Sequence, residues 1–203
     1  MEFAGRPLGE GRAAMILVHG RGAGPRNILE LAEALHHPAF TYLAPAAAGN
    51  TWYPYSFMAD IPSNEPGISS GLGVLDALVQ RIVGAGVPRE RIVLAGFSQG
   101  ACLMAEYAVR HARRYGGILA FSGGLIGPPG TTWPYEGDFA GMPAFFGCSD
   151  VDAHVPKARV DESAEVLASM GADVEKRLYP GMGHLVNDDE IAFGRALVDA
   201  VGS

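Results

Sequence analysis

Residues 94–101 read L-A-G-F-S-Q-G-A, an apolar run that ends on Ser98 with Gly96 and Gly100 two positions to either side. The pattern G-x-S-x-G suits a serine on a sharp strand-to-helix turn, where the residues two positions away would otherwise collide. On such a turn the hydroxyl points to the N-terminus of the following helix, whose dipole and unpaired N–H groups favour a developing oxyanion. The same five letters can also make an ordinary Gly-Ser turn. What favours the reactive reading is the strand-like R-I-V-L-A before the motif and the helical pattern after it.

A serine is a weak nucleophile unless a base takes its proton and a third group orients that base. The six histidines are His19, His36, His37, His111, His154 and His184. His36 and His37 close a helical pattern, where a cation suits the dipole. His111 shares a helical stretch with Arg110, Arg113 and Arg114, a solvated face. His184 lies in Y-P-G-M-G-H-L-V, a glycine-rich turn between a strand pattern and the last helix, the place a base requires. The acid is sought in A-F-F-G-C-S-D-V-D-A-H-V-P, which offers Asp150 and Asp152. The alternating Asp150, Asp152 and His154 could also be read as a metal site, but further ligands are lacking and a serine-dependent site needs no metal.

The elements that must position these groups alternate along the chain. Strands are expected at 15–18, 40–44, 91–95, 118–121, 144–146 and 174–179, and helices at 27–37, 72–83, after Ser98, 158–170 and 188–198. This order predicts an α/β fold with a mainly parallel sheet in one domain over residues 1–203, with reactive groups at the carboxyl ends of the strands. A loop at 50–67 is rich in Pro and aromatics, and one at 123–141 carries Gly, Pro and Trp133. A formal net charge of −7 argues against a nucleic-acid partner, because phosphate binding needs clustered Lys and Arg. Cys102 and Cys148 have no metal or disulfide spacing, and no apolar run is long enough to span a bilayer. The start, M-E-F-A-G-R-P-L-G-E-G-R, shows no secretory pattern, so a cytoplasmic location is expected.

Together, H-G-R-G-A-G, W-Y-P-Y-S-F, G-F-S-Q-G-A-C, D-A-H-V-P and G-M-G-H resemble the carboxylesterase/phospholipase family of α/β-hydrolases, which includes the acyl-protein thioesterases. The resemblance runs from about Met15 to the last helix. It implies a hydrolase fold without a separate lid domain, and Ser98, His184 and an Asp of C-S-D-V-D as nucleophile, base and acid. The family's Asp stands three residues after a glycine and three before the Val of V-P; here Asp150 meets the first spacing and Asp152 the second. The V-P register selects Asp152. The resemblance also implies an oxyanion hole from the backbone N–H groups of Arg21 and Gln99. An arginine at 21 departs from the apolar residue often found there, and its side chain is expected in solvent, with the cleft as the alternative.

The expected activity is hydrolysis of small to medium carboxylic esters through an acyl-enzyme, with thioesters, acylated proteins and lysophospholipids as alternatives. No cofactor is required, no membrane insertion is expected, and the resemblance points to a homodimer. Trp52 and Tyr53 are expected to shape an acyl pocket. Three other readings compete. G-R-G-A-G could open a dinucleotide loop, but Pro25 stands where the last glycine belongs, and no acid follows the second strand. A hydrolase fold used only for binding would not need all three residue types. Lactone hydrolysis or peptide cleavage would keep the fold and change the substrate, but Ser98 occupies the position where dienelactone hydrolases carry cysteine.

Overall fold

The computed structural model describes residues 1–203. Seven strands form one sheet: β1 (Glu2–Gly5), β2 (Ala13–Val18), β3 (Phe40–Ala44), β4 (Ile92–Phe97), β5 (Gly117–Phe121), β6 (Pro143–Ser149) and β7 (Asp173–Tyr179). Their spatial order is β1-β3-β2-β4-β5-β6-β7. All neighbours run parallel except β1, which pairs antiparallel with β3 at the edge. The sequence pattern did not reveal β1, because it has four residues and only alternate ones are partly covered.

The central strands are apolar on both faces, as strands sandwiched between helices must be. Along β2, Ala14, Ile16 and Val18 join one buried cluster, while Ala13, Met15 and Leu17 join another. The first cluster is closed by α2 (Gly67–Gly84), α3 (Gln99–Arg110) and α4 (Lys157–Ser169). The second is closed by α1 (Pro25–Ala34) and α5 (Asp188–Gly202). This is the predicted α/β architecture, with two layers of helices around the sheet.

Three helix ends differ from the sequence reading. Helix α1 starts at Pro25 with Gly24 as N-cap, two residues before the expected start at 27; Asn27 sits one turn in and its Oδ1 accepts from Gly24 N at 3.0 Å. The same helix stops at Ala34, before His36 and His37. Helix α2 begins five residues before Leu72, through a Ser- and Gly-rich stretch that intrinsic propensity disfavours. Glu65 offsets this by accepting from Ser69 N at 3.0 Å, and Gly71 lets α2 approach α3, since a Cβ there would lie 2.7 Å from Leu103.

Candidate active site

Ser98 is the single residue between the end of β4 and the start of α3. Its backbone has φ 56° and ψ −123°, a left-handed conformation that is costly for a residue with a Cβ and persists only where the surroundings enforce it. Ser98 N donates to Phe121 O at 2.9 Å, and its carbonyl accepts from Cys102 N at 3.0 Å. The two motif glycines answer to packing. A Cβ on Gly100 would stand 2.0 Å from Val18 O, and one on Gly96 would stand 2.7 Å from Ala101 N. The first turn of α3 therefore presses directly on the end of β2.

The chain brings three distant residues to this turn. His184 Nε2 lies 2.8 Å from Ser98 Oγ, and His184 Nδ1 lies 2.7 Å from Asp152 Oδ2. A carboxylate at Nδ1 selects the tautomer that leaves Nε2 free to accept the serine proton. The Asp152 side chain is fully buried. Its other oxygen accepts from His154 N at 2.7 Å and Val155 N at 3.0 Å. Burial pushes the Asp152 carboxyl up, but the hydrogen bonds from His184 and these two N–H groups outweigh it and hold it below its ordinary range. Asp150 takes a different place: its Oδ1 accepts from Gly181 N at 2.8 Å and so tethers the loop that carries His184. No group of three or more His, Cys, Asp or Glu is placed to hold a metal ion, and Asp150, Asp152 and His154 do not form one.

The backbone N–H of Arg21 donates to no protein acceptor. Gln99 is the first residue of α3, where N–H groups lack intrahelical partners. The side chain of Gln99 has a second task that the sequence reading missed. Its Oε1 accepts from Trp52 N at 3.0 Å and its Nε2 donates to Tyr53 O at 2.8 Å, which fixes the 52–53 segment to the helix start. Buried His19 acts similarly, accepting from Ala47 N at Nε2 while Nδ1 faces Gly20 O. Burial lowers its pKa, which suits a neutral ring.

Ser98 opens into a cavity of about 600 Å³ whose walls include Tyr53, Phe57, Phe97, Cys102 and Val155. Of the two aromatics expected to shape it, Tyr53 lines the cavity and Trp52 does not. Trp52 is buried beneath its loop, with Nε1 donating to His19 O at 2.9 Å and its ring 5.0 Å from that of His19. Its indole N–H needed a buried acceptor, and His19 O supplies it. Trp133 and Tyr135 also pack away from the cavity, bonded to Ile126 O and Glu106. Burial pushes the Cys102 thiol up to about 12, which leaves it an inert wall. Arg21 is exposed, as expected, yet its guanidinium reaches across to the carbonyls of Pro54 at 2.8 Å and Tyr55 at 2.6 Å. His154, weighed from the sequence only as a metal ligand, stands at the cavity mouth with its ring edge-on to His184, centroids 4.8 Å apart.

A sequence model of the family described as phospholipase/carboxylesterase matches residues 6–199. The chain belongs to the phospholipase/carboxylesterase family. Members of that family are α/β-hydrolases, and this chain is a hydrolase of the carboxylesterase and acyl-protein thioesterase kind. It is 29% identical to acyl-protein thioesterase 1 of Eremothecium gossypii, across 92% of this chain and 88% of that protein. It is 26% identical to lysophospholipase-like protein 1 of Mus musculus, across 91% of this chain and 85% of that protein. Among solved structures, a phospholipase/carboxylesterase from Dyadobacter fermentans superposes with a TM-score of 0.93 at 42% identity, covering 97% of this chain and 94% of that one. No helix of this family member is long and apolar enough to cross a membrane.

Proposed function

We propose that this chain is a serine carboxylic-ester hydrolase that cleaves small to medium carboxylic esters through an acyl-enzyme on Ser98. The observation that carries the reading is the unbroken relay from Asp152 through His184 to Ser98, with both contacts below 3 Å. His184 Nε2 takes the proton as Ser98 Oγ attacks the carbonyl carbon, and Asp152 steadies the imidazolium that forms. The N–H groups of Arg21 and Gln99 receive the oxyanion. His184 then protonates the leaving alcohol, and the C–O bond to it breaks. Water, deprotonated by His184, attacks the acyl-enzyme and releases the acid. None of these steps calls for a cofactor.

The cavity of about 600 Å³ matches a small or medium ester held mainly by apolar walls. Thioester cleavage would follow the same steps, and the similarity to a protein named acyl-protein thioesterase 1 favours it as the second reading. The test is hydrolysis of 4-nitrophenyl esters from acetate upward, beside thioesters of the same acyl groups, with wild type and Ser98→Ala. Loss of turnover in the variant, with the fold retained, is the expected result. Activity that survives in Ser98→Ala would remove the assignment.

A further inference from the structure

Resting on that reading, we propose that the cavity selects esters or thioesters whose acyl part carries a negative charge, such as half-esters of dicarboxylic acids. The Arg21 guanidinium is the anchor and the His154 imidazole a second donor. In a protein with net charge −7, the cavity wall contains no Asp or Glu, while it does contain Arg21, His154 and His184. The one carboxylate near them, Asp152, has its oxygens directed to His184 and two backbone N–H groups.

Arg21 is prepared for such a role. Its guanidinium is fixed by the two carbonyls at Pro54 and Tyr55 and lies 6.0 Å from the centre of the Tyr53 ring. Those bonds use two of the five guanidinium N–H donors, so three stay free. The carbonyl acceptors satisfy donors without supplying a counter-charge. Like most arginines of the chain, Arg21 pairs with no carboxylate; unlike the others, it lines the cavity that holds Ser98. A guanidinium held in place and lacking an anion suits carboxylate recognition, where a preset fork loses little freedom on binding.

Direction follows from the backbone. With the Arg21 N–H assigned to the oxyanion, its side chain runs from that end of the cavity toward residues 54 and 55. With Tyr53 shaping the acyl pocket, a substrate charge at that end belongs to the acyl part of the ester. The His154 ring makes no hydrogen bond to the protein, and an imidazole keeps at least one N–H donor in either protonation state. The cation and the imidazole thus border the same cavity as the serine.

The experiment compares kcat/KM for mono-4-nitrophenyl glutarate with that for 4-nitrophenyl pentanoate, which has the same acyl length without the charge. Wild type is expected to favour the glutarate ester by about tenfold or more at low salt, and less as salt is raised. In Arg21→Met the ratio should collapse, mainly through KM of the glutarate ester, and Arg21→Lys should restore part of it. His154→Ala should lower the ratio by a few-fold. The ratio cancels any loss common to both esters, so an arginine that merely holds the 54–55 loop would leave it unchanged and overturn the proposal. A wild type that prefers the pentanoate ester overturns it too, and leaves the esterase reading standing. If neither ester is cleaved, the esterase reading is in difficulty, and calorimetry still decides this proposal. Free glutarate binding wild type and losing about tenfold affinity in Arg21→Met supports it, and equal or absent binding overturns it.

Discussion

Glu190 offers a test of how burial and charge are balanced beside the site. It stands in the first turn of α5, just after the loop that carries His184. Asn187 caps the helix: Glu190 N donates to Asn187 Oδ1 at 2.9 Å, and Asn187 N donates to Glu190 Oε2 at 2.8 Å. The residue is fully buried, and its second oxygen, Oε1, has no hydrogen-bond partner. That oxygen lies over β6 where Gly147 leaves room; a Cβ on Gly147 would stand 2.1 Å from it. Desolvation pushes the carboxyl from its ordinary 4.5 to about 7; the Asn187 N–H pulls it down less, and the neighbouring Asp189 charge adds to the rise.

A carboxyl with a raised pKa holds its proton in the folded state after the unfolded state has released it. Between pH 4.5 and about 7 the native protein therefore binds more protons, and stability falls as pH rises through that window. The full gap corresponds to about 3 kcal/mol, of which roughly 2.5 kcal/mol falls between pH 5 and pH 8. Glu190→Gln keeps the capping geometry and removes the titration. Its amide NH2 in place of Oε1 carries a cost of about 1–3 kcal/mol that does not depend on pH, so the change between two pH values is the quantity to read. Urea unfolding of both proteins at pH 5 and pH 8 should show wild type losing about 2.5 kcal/mol more than the variant over that interval. Equal losses in the two proteins would refute the argument that burial raises this carboxyl.

Other substitutions probe the site directly. Ser98→Ala should reduce ester turnover by about 10⁴-fold or more in steady-state assays, with little change in Tm, because alanine keeps the same backbone strain. Asp152→Asn should lower kcat by about 10⁴-fold while KM moves little, since the amide no longer enforces the required His184 tautomer. Gly100→Ala must move Val18 O or the start of α3 and should cost about 3 kcal/mol in urea unfolding, with activity lost before the fold. Gln99→Ala keeps the backbone N–H but leaves Trp52 N and Tyr53 O without partners; about 1–3 kcal/mol of stability should be lost, and kcat/KM on acyl esters should fall by about tenfold.

Much of the architecture was legible because it rests on local pattern. The alternating strand and helix runs gave the parallel core of the sheet, since buried central strands are continuous apolar stretches such as A-A-M-I-L-V. What escaped depended on partners far along the chain. The edge strand β1 exists by pairing with β3, and α2 extends through S-S-G because Glu65 and Leu103 accommodate it. Trp52 was drawn to the cavity by its place in an aromatic loop. The acceptor for its indole N–H lies at residue 19, which no local spacing announces. His154 sits within D-A-H-V-P, but only folding sets its ring against His184.

By itself the sequence determined the turn at Ser98. Two glycines between an apolar strand and a helix are a local requirement, written in five adjacent residues. It also narrowed the acid to two candidates, with the V-P register favouring Asp152, and ordered the elements that carry them. The tertiary structure decided which aspartate meets His184, because that contact joins residues 32 positions apart and the contact to Ser98 joins residues 86 apart. It likewise decided that the Arg21 side chain crosses the cavity rim and that Gln99 ties the 52–53 segment to α3. Backbone sterics act within a few residues and can be read from spacing. Hydrogen bonds between distant side chains depend on where the sheet order brings strand ends together, and that order exists only in the folded chain.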